Sequence, residues 1–412
     1  MLESTCNRHM KNSILIFAIG LAMAVLASVF SIQSLLLSVT DSSSRSFNQI
    51  VIPGGKGPGS LAIADLNHDG KPDIVVANTV DEAVSVLLGD GKGHFAPAPG
   101  SPFPCGKSPN DMAVADMNGD GNLDLVIANT GTPFITILLG DGKGGFKSSP
   151  HSPFSTQSYP HVHGIAIGDF NGDGKLDVVT DSWGHDQILM LLGDGAGNLI
   201  PPGRLFNTGK RPYQRLRSAD FNKDGKPDVV TTDMDSNAVS ILLGDGKGEL
   251  RDAPGSPSPA GVSPWAVAID DINKDGNLDL VVLPYDRDVT DPKQLAVTVL
   301  LGNGKGGFTK MNGSSLSLAG CRGPDRVATG DLSGHGFRDI VVSCAQNNKL
   351  MVFQGSKEGA YQVSTWDIQT GWSGLAVADL NGDGKDDIIV SNGLLDDERS
   401  HASGTITIFL SK

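Results

Sequence analysis

The chain has 412 residues, enough for two or three average domains or one large repeat architecture, with 53 glycines, 39% hydrophobic residues and only 19% charged ones. So many glycines among short apolar runs point to an all-β protein with many tight turns. The formal net charge of −14 argues against nucleic acid as a partner, because a phosphate backbone needs a basic surface.

At the N-terminus, Arg8 and Lys11 form a positive flank, and no charged residue follows from Asn12 to Thr40. Ser13 to Phe30 is dense in Ile, Leu, Ala, Val and Met, and Val25-Leu26-Ala27 offers a small-residue cleavage site, the plan of a secretory signal peptide. The same span is long enough to cross a bilayer as an uncleaved anchor. Residues 1–40 are therefore read as a signal peptide or N-terminal membrane anchor. Residues 41–412 are read as the exported part, whether extracellular, periplasmic or cell-surface.

Next comes a short orphan segment, Ser46 to Ile52, and then a repeat. The string from Asp65 to Asp73 recurs at Asp116 to Asp124, Asp169 to Asp177, Asp220 to Asp228, Asp271 to Asp279 and Asp379 to Asp387, with a degenerate copy from Asp331 to Asp339. The starts are 51, 53, 51, 51, 60 and 48 residues apart, a period that suits one four-stranded propeller blade. Each unit has the same grammar. An apolar run (Leu61 to Ala64) precedes the acidic string, a β-branched run (Ile74 to Val76) follows, and a third run (Val84 to Leu88) ends in a Gly-Asp-Gly-Lys-Gly turn. A fourth segment starts at Phe95, matched by Phe146 and Phe308. The Gly-Asp-Gly-Lys-Gly strings read as turns, because no helix follows to cradle a phosphate. The last repeat stops at its third strand, Thr405 to Leu410, so the orphan segment is expected to supply the fourth, with Phe47 in the Phe95 position. The expected fold is a monomeric, all-β, seven-bladed propeller of four-stranded antiparallel blades, closed by the N-terminal strand.

Each acidic string places oxygen ligands at positions 1, 3, 5 and 9 and glycine at 6, the spacing that wraps one chain around Ca²⁺. In the first copy these are Asp65, Asn67, Asp69 and Asp73. The other intact copies supply Asp116, Asn118, Asp120 and Asp124; Asp169, Asn171, Asp173 and Asp177; and Asp220, Asn222, Asp224 and Asp228. Asp271, Asn273, Asp275 and Asp279, then Asp379, Asn381, Asp383 and Asp387, complete them. The loops are not EF-hands, because position 12 is Val76 rather than Glu and strands flank the loop. Six Ca²⁺ would bring the formal charge from −14 to about −2, a structural role. The Asp331 copy has Ser333 and His335 in place of two ligands and is expected to bind weakly or not at all.

The joint pattern of these loops and the Leu-Leu-Gly-Asp-Gly-Lys-Gly turns resembles FG-GAP/VCBS repeats, the blades of integrin α-chain propellers and of many exported bacterial proteins. The resemblance spans nearly everything from Phe47 to Lys412. It implies a seven-bladed propeller with Ca²⁺ in hairpin loops on one face, and no single activity.

On the other face fall the segments leading into each blade and the loops between second and third strands. They carry His161, His163, Trp183, Tyr213, Arg215, Trp265, Tyr285, Arg326 and Trp372, the candidate ligand-binding set. Tyr159, His185, Asp186, Gln214, Asp286, Arg287 and Asp325 lie nearby in sequence. Amphipathic rings among hydrogen-bonding groups suit a glycan or an extracellular protein ligand. They equally suit loops that merely hold what blades cannot. An enzyme, such as a polysaccharide lyase using His161, His163, Arg215 and Arg326, is the alternative, and a protein-interaction scaffold the third. No catalytic residue is assigned. Of the cysteines, Cys321 and Cys344 can pair within one repeat, but three buried free thiols (with Cys105) are the preferred reading.

Overall fold

The computed structural model describes residues 37–40, 46–286, 294–313, 315–357, 359–368, 374–393 and 403–412. They form seven antiparallel sheets, the blades of a β-propeller. Blade 1 runs from an innermost strand, Pro58–Ala64, through Asp73–Asn78 and Ala83–Gly89 to an outer edge split into Phe95–Pro97 and Phe103–Pro104. Blades 2, 4 and 5 begin at Pro109–Ala115, Pro212–Ala219 and Pro264–Asp270 and share this split edge. Blades 3 and 6 begin at Ile165–Gly168 and Pro324–Gly330 and have continuous outer strands, Leu199–Asn207 and Gln362–Asp367.

The expected closure is present. Blade 7 consists of Leu375–Ala378, Asp387–Asn392 and Ser403–Ser411, and Ser46–Lys56 pairs antiparallel with the last of these, Phe47 opposite Ser411 and Ile52 opposite Ile406. A further strand, Leu37–Thr40, pairs outside Ser46–Lys56, so β-structure begins within the span read as leader.

Every second strand is buried along its whole length, because its two faces meet the two neighbouring blades. This explains why those strands read as unbroken β-branched runs instead of alternating ones. The apolar core is accordingly divided into seven clusters, one per blade interface. The closing strand serves two of them: Phe47 points into the interface of blades 6 and 7, while Ile50 and Ile52, on the opposite face of the strand, fill that of blades 7 and 1.

One preferred reading fails. Cys321 and Cys344 form a disulfide, with Cα atoms 5.2 Å apart. Cys344 ends the second strand of blade 6, opposite Pro324, and Cys321 lies three residues before that proline, so the sheet register itself brings the pair within bridging distance. Cys105 is free and buried, and burial pushes its thiol up to about 12.

Candidate functional site

The acidic loops share one backbone path. In the first, Asp65 accepts from the Asp69 and Gly70 amides at 3.2 and 2.9 Å, Asn67 Oδ1 accepts from Asp69 N at 2.9 Å, and Asp69 Oδ1 accepts from Lys71 N at 3.0 Å. Position 4 takes a positive φ (His68, 60°) and Gly70 another (78°), which turns the chain around these oxygens. Among the described residues, no three His, Cys, Asp or Glu side chains stand together at metal-binding spacing. The carboxylates at positions 1 and 5 are turned instead onto the loop's own amides.

Position 9 has a task that the spacing did not disclose. Asp73 is fully buried; its Oδ2 accepts from Leu66 N at 2.9 Å and its Oδ1 from Gly89 N at 2.8 Å, tying the loop to the end of the third strand. The same clamp recurs in every blade, including the degenerate one, where Asp339 holds Leu332 N and Gly355 N at 3.2 and 2.9 Å. Blade 7 uses Ser411 N in place of the glycine amide. The glycine closing Leu-Leu-Gly is needed because a Cβ on Gly89 would stand 2.2 Å from Pro72 O. In the six intact loops burial raises the position-9 carboxylate, and repulsion from neighbouring loop aspartates adds to it: Asp124, Asp177 and Asp228 reach about 6 and Asp387 about 7.

At the other end of the innermost strands, ~20 Å away for seven residues of strand, blades 3 to 5 bring the candidate aromatics into one arc. His163 lies 4.6 Å from His161 and 4.2 Å from Tyr213 between ring centroids; Trp183 stands 5.2 Å from Tyr213; Tyr213 lies 5.3 Å from Trp265, which stacks on Tyr285 at 4.2 Å. Arg211 lies over both Trp183 (5.5 Å) and Tyr213 (5.1 Å), and Tyr159 and His185 extend the arc outward at 5.4 Å. The arc is graded in depth. Trp265, Tyr285 and His163 are buried, His161, Trp183 and Tyr213 are half-buried, and Tyr159 is 59% exposed. Trp265 and Tyr285 therefore back the surface from the core. Trp372 and Arg287 lie outside the described residues, as does the side chain of Gln214.

Within the arc, His163 Nδ1 is 3.1 Å from Asp181 Oδ2, and its Nε2 is 3.1 Å from His161 Nε2. With the buried Asp181 carboxylate accepting from Nδ1–H, the His163 Nε2 is left to accept from His161. Burial first, and His163 beside it, hold His161 below the ordinary imidazole range.

Arg215 and Arg326 sit deeper, on the propeller axis. Arg215 is buried 3.2 Å from Asp111, which also pairs with Arg217 at 3.0 Å. Arg326 pairs with Asp325 at 2.6 Å, and Asp325 accepts from Trp265 Nε1 at 3.2 Å, joining the axis to the arc. Burial alone would raise Asp111, but Arg217 and Arg215 outweigh it and hold its carboxyl below the usual range.

Residues 65–127, 116–180, 220–282 and 331–390 match the profile of the FG-GAP-like repeat. The chain belongs to the FG-GAP-like repeat family. It is 26% identical over 181 residues to cartilage acidic protein 1 of Xenopus tropicalis, a match that takes in 42% of this chain and spans 28% of that protein's length. Among solved structures, the BBS1N chain crystallised in complex with ARL6DN superposes with a TM-score of 0.56 at 13% identity, over 92% of this chain and 98% of that one. A virginiamycin B lyase from Staphylococcus aureus, inactive and solved with quinupristin, gives 0.54 at 15%, over 88% and 99%. At these identities the likeness is one of fold.

The donor chemistry of the FG-GAP loops fits a hard cation. Each intact loop offers oxygen donors only, at positions 1, 3, 5 and 9, and a carboxylate that accepts two amides still has further acceptor capacity. Asp111, Arg217 and Asp181 escaped the sequence reading. Charges on innermost strands, with Arg215 and Arg217 at i and i+2 on one face, were the available signal. Asp111 and Arg215, two blades apart in sequence, gave no hint of pairing.

Proposed function

We propose that this protein is an exported, calcium-stabilised, non-enzymatic binding module whose aromatic face takes a glycan or an extracellular protein ligand. The observation that carries the reading is the continuous arc from His161 to Tyr213, half-exposed, capped by Arg211 and backed by Trp265 on a rigid seven-bladed frame. Flat amphipathic rings with fixed backing suit the apolar faces of sugars and the hot spots of protein interfaces. The six intact loops would hold Ca²⁺ through positions 1, 3, 5 and 9, and the ion's contribution is rigidity. Export rests on the leader-like residues 1–40; no helix among the described residues is long and apolar enough to cross a membrane.

A glycan array and cell-surface binding with the mature chain test the ligand face. Trp183→Ala and Arg211→Ala should abolish binding with the melting temperature nearly unchanged; binding that survives both substitutions would refute the assignment. Calcium is tested separately, by calorimetry and by melting with and without a chelator. Unchanged melting after chelation would remove it from the reading.

A second reading, a lyase-like enzyme, draws on the Asp181–His163–His161 chain, in which the lowered His161 is held neutral, the form a general base needs. Unsaturated products from uronic-acid polymers, lost in His161→Ala, would favour it.

A further inference from the structure

The propeller axis holds a cavity of about 80 Å³ between the innermost strands, lined in part by Ser60, Asp111, Arg215, Arg217, Arg326 and Gly374. Its charges do not balance. Three guanidinium groups face one lining carboxylate, Asp111, and a second, Asp325, lies behind and is already bonded to Arg326 and to Trp265 Nε1. Asp181 of the neighbouring blade accepts from the amides of His163 and Gly164 and from the His163 ring. The described groups therefore leave one positive charge in excess.

Arg215 shows where it sits. Its side chain is 3% exposed, and although Nη1 lies 3.2 Å from Asp111, none of its three nitrogens is in hydrogen-bond geometry with a protein group. A guanidinium has five donors, and burying them unsatisfied is costly. Burial and the nearby Arg326 lower Arg215 to about 9, so it remains charged at neutral pH. A volume of 80 Å³ is more than the roughly 10–15 Å³ of cavity one water needs, and less than the roughly 150 Å³ that houses benzene. Guanidinium forks match planar oxyanions two bonds at a time.

We propose that the axial cavity binds one small planar monoanion of the carboxylate class, held by Arg215 with Arg217 and Arg326. One such ion neutralises the excess charge and supplies acceptors for the stranded Arg215 donors. Arg217, whose side chain is 36% exposed, provides the side open to solvent. The site is separate from the exposed aromatic rings, although Asp325 links Arg326 to Trp265 behind them.

The test is calorimetric titration of the full chain with sodium formate at fixed ionic strength, balanced with gluconate, which is too large for the cavity. Saturable binding at one site is expected, with chloride weaker than formate. Arg215→Met should weaken formate by about tenfold or more, the equivalent of one charge-assisted contact. Asp111→Asn, which raises the excess charge, should tighten it. Should Arg215→Met fail to fold, Arg217→Met is the substitute, because its partly exposed side chain can be lost with less damage, and it too should lose formate. No saturable formate binding by the wild-type chain, or undiminished affinity in the arginine variant, overturns the proposal; tighter binding of chloride overturns the planar assignment.

Discussion

Phe47 is the largest side chain that the closing strand buries, and its replacement by Ala gives a sharp test of closure. The ring is 1% exposed and meets Trp366 and Phe409 edge-on at 5.3 and 5.9 Å. Truncating a buried Phe costs about 3–5 kcal/mol through lost transfer energy and the cavity left behind. Two edge-to-face pairs place this site in the upper half of that range, so ~4 kcal/mol is expected. With a urea slope of about 3 kcal/mol/M, the unfolding midpoint should fall by roughly 1.3 M. Phe95→Ala provides the control, because Phe95 occupies the matching place in blade 1 but is only half-buried. Its midpoint should fall by about half as much, following the smaller apolar area lost. The reasoning is refuted if Phe47→Ala moves the midpoint by less than about 0.3 M, or by no more than the control does.

Other measurements probe single groups. Asp339→Ala, in the blade whose loop has Ser333 and His335 where the others have Asn and Asp, should lower stability by about 2–4 kcal/mol through two lost charge-assisted bonds to amides, by the same amount with and without calcium; a negligible loss in urea unfolding would deny the clamp its role. Asp233 is pushed up to about 7, chiefly by burial, so the folded state holds its proton more tightly than the unfolded chain. That contribution is complete below the unfolded value near 3.8 and declines as pH rises toward 7, and Asp233→Asn should flatten the profile of stability between those limits. Identical pH profiles for the two proteins would exclude this. Reducing the Cys321–Cys344 bridge, which closes a separation of 23 residues, should cost about 3 kcal/mol; melting insensitive to reductant would show that the bridge adds nothing.

The blade grammar, the blade number and the closing strand were legible because they rest on local signals: a repeated turn, β-branched runs and an orphan Phe at a fixed offset. The gathering of His161, Trp183 and Tyr213 on one face was legible for the same reason, since strand direction alone decides which loops share an end. Depth was not. Trp265 and Tyr285 read like Trp183 in sequence, yet the interface of blades 4 to 6 covers them. Nor could spacing separate the two tasks of Asp73, a loop carboxylate and a buried clamp, because the second depends on where Gly89 arrives sixteen residues later. The axial ion pairs lay furthest out of reach, as Asp111 and Arg217 meet only after the ring has formed.

The position-9 clamp also separates two things that the repeat presents as one. Within a blade the loop is tied to the third strand by a single aspartate and the glycine, or in blade 7 the serine, that meets it. Positions 3 and 5 are then free to differ, and blade 6 shows it: Ser333 and His335 stand where the other loops have Asn and Asp, while Asp339 still grips both amides. Counting acidic loops and counting blades are therefore different exercises in this architecture. A descendant of this chain could shed its loops one after another and still close the same circle.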